Sequence, residues 1–158
     1  ALYFAGLFII AGIDKEKIKV QKQVLLYTII ISAVYMGYMY ICEKINIIRY
    51  IVYLGIILFL VILDTIKIRK KGEESYMLNV LMLAITMSMF TGENVFLFTA
   101  IYTLITSMLY VFIKKINARK KYVKQEKKRI KLPIAFFMCI GNVIMYIACN
   151  FLVNYLFI

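Results

Sequence analysis

An all-α, polytopic transmembrane helix bundle of about six spans is the fold class this sequence predicts. Three observations predict it: the apolar content, its gathering into long runs, and the position of the charges between those runs. Of 158 residues, 64% are apolar and 18% are charged, with a mean hydropathy of +0.86. A soluble domain of this length has too little interior to hide so much apolar surface. The net charge of +12 would point to nucleic acid in a polar chain. Here the basic residues punctuate apolar runs, so no nucleic-acid partner is expected.

The first apolar run, residues 2–13, is short and lacks the basic start and small-residue cleavage site of a signal peptide. It is expected to be the end of a span truncated at its N-terminus. Residues 24–42 form a full span, since a bilayer core needs roughly 20 apolar residues. Residues 47–63 form the third, with Arg49 near its outer end, where it can snorkel. The fourth and fifth cover 76–90 and 95–113. The sixth covers 134–158 and begins after Pro133, a residue tolerated in the first turn of a helix. Runs this long argue helix rather than buried strand, and only helices or closed barrels span lipid. Residues 1–158 read as a single membrane-embedded domain without an internal repeat.

Loop charges orient the chain. Lys15, Lys17, Lys19 and Lys22 lie between the first and second spans, and Lys67, Arg69, Lys70 and Lys71 between the third and fourth. The segment 114–131 carries ten more, whereas the remaining turns hold only Lys44 and Arg49. Alternate loops therefore carry eighteen basic residues against two. By the positive-inside rule the basic loops are cytoplasmic, and both termini lie outside a cell membrane. The same loops suit anionic lipid at the cytoplasmic face, although topology alone accounts for them.

Cys42, Cys139 and Cys149 are scattered and there is no histidine. They form neither a disulfide framework nor a zinc site, and read as buried small hydrophobes. No feature calls for a metal or another cofactor. Thr28, Ser32, Asn79, Thr86, Ser88, Thr103, Thr106, Ser107 and Asn142 read as helix–helix glue. No span carries a mid-membrane charge or a paired Gly/Pro break, which argues against a transporter.

The eight acids are the informative residues. Glu43, Glu93 and Glu126 read as solvated charges. Asp14, Glu16, Asp64, Glu73 and Glu74 gather at cytoplasmic span boundaries. Glu73 and Glu74, with Gly72 and Ser75, precede a helix, where negative charge complements the dipole. Asp14 and Asp64 close helices and face the negative pole, so helix stability does not account for them. Pairing with Lys17 or Lys67 is the ordinary explanation. The functional one is that boundary carboxylates mark a site.

The stretch Ala11-Gly12-Ile13-Asp14-Lys15-Glu16-Lys17-Ile18-Lys19-Val20 resembles the first motif of the type IV prepilin peptidases, an apolar helix ending in Ile-Asp before a short basic stretch. Val20-Gln21-Lys22 occupies the place of that family's Ile-Pro-Asn. Gly72-Glu73-Glu74-Ser75 stands where the family has Gly-x-Gly-Asp, so that Glu74 or Ser75, depending on register, replaces the second aspartate. Before the last span, Pro133, Phe137 and Gly141 keep the spacing of the family's proline, aromatic and glycine, with Phe136 in place of its second proline. The resemblance is to the short, peptidase-only form, with eroded motifs.

That resemblance implies an intramembrane aspartic endopeptidase that cuts the basic leader from a pilin-like, membrane-inserted precursor at the cytoplasmic face. Asp14 and Glu74 would be its catalytic pair, one as base and one as acid, because two close carboxyls share a proton. Asp64 would flank the site or replace the second acid, with Glu73, Ser75 and Gly72 beside it. The competing class is a catalytically degenerate relative, acting as a non-enzymatic membrane binding or assembly protein.

Overall fold

The computed structural model describes residues 1–43, 47–71, 75–120 and 132–156, and the regular structure among them is all α-helical. Helix α1 is Leu2–Lys17, α2 Lys22–Glu43, α3 Ile47–Lys71, α4 Tyr76–Thr91, α5 Glu93–Lys120 and α6 Ile134–Leu156. Each expected span is one helix. In α2, α3, α5 and α6 the apolar stretch is long enough to cross a membrane. Helices α1 and α4 have 16 residues each, about 24 Å at the α-helical rise, against a hydrocarbon core of about 30 Å. The molecule is a polytopic helical membrane protein.

Several helices outrun the apolar stretches that predict them. Helix α3 continues past Leu63 to Lys71 and α5 past Ile113 to Lys120. Lys and Arg are good helix formers, and no proline or glycine stops the chain there. The basic residues therefore begin on helix ends rather than in loops.

Helices α3, α2, α1, α6 and α5 form an arc of neighbouring pairs, and α4 packs inside it against α2, α3, α5 and α6. Among the described residues α3 and α5 do not touch, so the arc is open there. The core side of α1 is a helical stripe of Tyr3, Leu7, Ile10, Ala11 and Asp14. Helix α4 buries residues around much of its circumference, from Asn79 to Met89, as its central place requires.

Close approach of backbones depends on two glycines. A Cβ on Gly141 would sit 2.5 Å from the Tyr102 ring, and one on Gly6 would sit 2.8 Å from the Thr28 methyl. Small residues at such crossings let helices pack without a hydrophobic driving force. Some of the polar residues act as expected of glue, whereas Thr28, Thr103 and Thr106 bond carbonyls of their own helices and Ser107 Oγ and Asn79 Oδ1 have no hydrogen-bond partner among the described residues. Ser32 Oγ donates to the Thr86 carbonyl at 3.3 Å, and Asn142 Nδ2 reaches Thr91 and Thr99 at 3.2 and 3.3 Å. Two details differ from the sequence reading. Cys139 is buried but Cys42 is exposed, and Glu93, instead of being merely solvated, accepts a hydrogen bond from Tyr53 at 3.0 Å.

Candidate functional site: two aspartates at helix starts

The ends of α1 and α3 meet the starts of α2, α4 and α6, and both boundary aspartates lie in that layer. Asp14 is fully buried. Its Oδ2 accepts the Phe136 amide at 2.8 Å and the Tyr76 hydroxyl at 3.1 Å. The Tyr76 oxygen in turn accepts the Ala135 amide at 3.2 Å. Three segments far apart in sequence are thereby joined at one carboxylate.

The first turn of α6 explains why a carboxylate belongs there. A helix start leaves four amides without intrahelical partners. Pro133 has no amide to satisfy, the Ile134 amide bonds the Leu132 carbonyl, and the Phe137 amide reaches the Pro133 carbonyl. The Ala135 and Phe136 amides remain, and Tyr76 and Asp14 take them. Asp14 is thus a capping residue supplied from another helix, with its charge at the positive end of the α6 dipole. Lys15 adds its ammonium 5.8 Å from the Phe136 ring centroid.

Asp64 does similar work for α4. It is 3% exposed; its Oδ2 lies 2.6 Å from Lys22 Nζ, and its Oδ1 accepts the Ser75 amide over a long 3.4 Å. Ser75 is the N-cap of α4, and its hydroxyl accepts Lys67 Nζ at 2.9 Å. Helix stability therefore does account for both acids, contrary to the expectation from their own helix ends. Asp14 lies in the last turn of α1, facing its negative pole, whereas α3 runs two turns beyond Asp64; each carboxylate faces the positive pole of another helix. The lysine partners also differ. Asp64 pairs with Lys22, Lys67 serves Ser75, and Asp14 takes amide and phenol donors rather than Lys17.

Of the residues singled out in the sequence, the structure brings Asp14 to the α6 start near Pro133 and Asp64 to Ser75. Gly72, Glu73 and Glu74 lie outside the described residues, as does most of the segment 114–131. Glu16 is exposed at the end of α1. Pro133 supplies a carbonyl to the first turn of α6, and Gly141 is the α5–α6 crossing point. Sequence reasoning missed Tyr76, Lys22 and the Phe136 amide. Tyr76 had a signal, as a phenol directly after Ser75 at the start of an apolar run. Among the described residues no three His, Cys, Asp or Glu side chains could hold a metal ion. No protein-family model, curated protein or solved structure matches the chain.

One polar atom at this junction is unsatisfied. Asp14 Oδ1 is buried and has no hydrogen-bond partner among the described residues. A buried carboxylate is stabilised by the donors it has and penalised for the oxygen left bare. The junction can hold helices in register. Among the described residues Asp14 is the carboxyl at the α6 start, and its protein donors are both on Oδ2.

Proposed function

We propose that this chain is a prepilin-peptidase-like membrane protein that engages pilin-like transmembrane helices without cutting them. The observation that carries this reading is the commitment of Asp14. A general base must reach a water or substrate proton at hydrogen-bond distance; this carboxylate is fully buried, with Oδ2 taken by Phe136 and Tyr76 and Oδ1 enclosed without a partner among the described residues. Among the described residues α3 and α5 do not touch, and Met77 and Leu81 of α4, which packs inside the arc, are exposed, apolar surface suited to a helical partner. The basic residues at the ends of α1, α3 and α5, such as Lys17, Arg69 and Lys114, would face the cytoplasm by the positive-inside rule, alongside anionic lipid.

The catalytic reading, with Asp14 and Glu74 as the pair, keeps one observation in its favour. Tyr76, two residues after Glu74, touches Asp14, so the start of α4 converges on that carboxylate. One experiment separates the two. The chain is co-expressed with a membrane-inserted pilin-like precursor, and both precursor size and co-purification are followed. Binding without cutting gives co-purification of full-length precursor. Cleavage that is lost in both Asp14→Asn and Glu74→Gln would replace this reading with the peptidase.

A further inference from the structure

Between α2, α3 and α4 a cleft of about 110 Å³ opens beside the Lys22–Asp64 pair. Leu25, Val61 and Met82 give it apolar walls, and Lys22, Asp64 and Asn79 give it polar ones. The Asn79 side chain stands out. It is 1% exposed, lies one turn into an apolar helix, and its Oδ1 has no hydrogen-bond partner among the described residues. A buried amide oxygen without a donor costs free energy, and a helix-facing leucine would avoid that cost.

We propose that this cleft binds the headgroup of an aminophospholipid of the phosphatidylethanolamine class. The cleft lies at the end of α3 and the starts of α2 and α4, the level at which headgroups meet a spanning bundle. Its chemistry is complementary to a zwitterion on a short arm. A primary ammonium brings three N–H donors. Asn79 Oδ1 offers one acceptor, and the Asp64 carboxylate has acceptor positions beyond those used by Lys22 and Ser75. The phosphate that follows the amine meets Lys22, whose side chain is 40% exposed at the mouth. The acyl chains then continue along the apolar outer surface, where Leu26 is exposed. A choline headgroup has no N–H to give. A glycerol headgroup brings hydroxyls, but without the cation that Asp64 would hold.

The test uses the full chain in mild detergent, offered equal amounts of phosphatidylethanolamine, phosphatidylcholine and phosphatidylglycerol, with bound lipid counted by native mass spectrometry. The ethanolamine lipid should be retained about threefold over either competitor, a preference of under half a decade in affinity. Asn79→Ala and Asp64→Asn should each bring it down to the choline level. Asn79→Ala removes an oxygen that has no hydrogen-bond partner among the described residues, and its melting temperature without added lipid checks that it is folded. A melting temperature raised by the ethanolamine lipid in the wild type, but not in Asn79→Ala, would place the effect at the cleft. Equal retention of all three lipids, a dominant glycerol lipid, or a preference that survives Asn79→Ala would overturn the assignment.

Discussion

Replacing Asp14 by alanine removes the acceptor of the Phe136 amide and of the Tyr76 hydroxyl in one step. The amide then sits buried at a helix start with no partner. Leaving a buried donor unsatisfied costs about 1–3 kcal/mol, and loss of a cap costs about 0.5–2 kcal/mol as a measure of the same bond. Tyr76 loses its acceptor but still accepts from Ala135, so its share is smaller. Against this stands the relief of burying a carboxylate whose Oδ1 is bare. With the Tyr76 share and the relief roughly offsetting, a net loss of about 1–3 kcal/mol follows, a change of about 5- to 140-fold in the unfolding equilibrium. Asp14→Asn keeps an acceptor for Phe136 and should cost about 1 kcal/mol or less, the worth of an ordinary hydrogen bond. Reversible unfolding of the purified protein in mixed micelles would measure both. A wild-type stability for Asp14→Ala would refute the capping role. An asparagine variant as unstable as the alanine one would show that charge at the dipole, not hydrogen-bond acceptance, is what α6 needs.

Gly141→Ala places a methyl 2.5 Å from the Tyr102 ring and should destabilise by about 1–3 kcal/mol, as overpacking does; the same unfolding assay reads it. Asn142→Leu breaks the links to Thr91 and Thr99 and should cost about 1 kcal/mol, since interhelical hydrogen bonds in membranes average roughly 0.6 kcal/mol each. For orientation, with the native cysteines replaced by serine because Cys42 is exposed, a cysteine placed near Lys124 should be shielded from an impermeant thiol reagent in intact cells. One placed near Gly92 should react, and the reverse pattern would invert the topology.

The number of helices and their approximate limits were legible in the sequence, because apolar runs of this length have one good solution in lipid. Arc order was not. Nothing in the α4 run, residues 76–90, marks it as central, except that it is the shorter of the late spans and carries Asn79, Thr86 and Ser88. The value of Asp14 and Asp64 as unusual acids was also legible, from their place at span boundaries. Their roles were not, because a dipole argument made within one helix cannot see the start of another. That start is brought alongside only by packing. Lys22 was equally hidden, read as one of four loop lysines until α2 was seen to begin with it.

The Asp14–Phe136 bond has a consequence for biosynthesis. Its partners are 122 residues apart, and chains are made at about 5–20 residues per second. The Asp14 carboxylate is therefore inserted roughly 6–24 seconds before its amide donor exists. During that interval α1 carries an acid at the membrane boundary whose Phe136 partner has not been made, and its set of donors is completed only when the last helix arrives. A nascent chain cut off before α6 would expose this acid together with the Tyr76 phenol, a polar mark of incompleteness that a membrane quality-control protease could read.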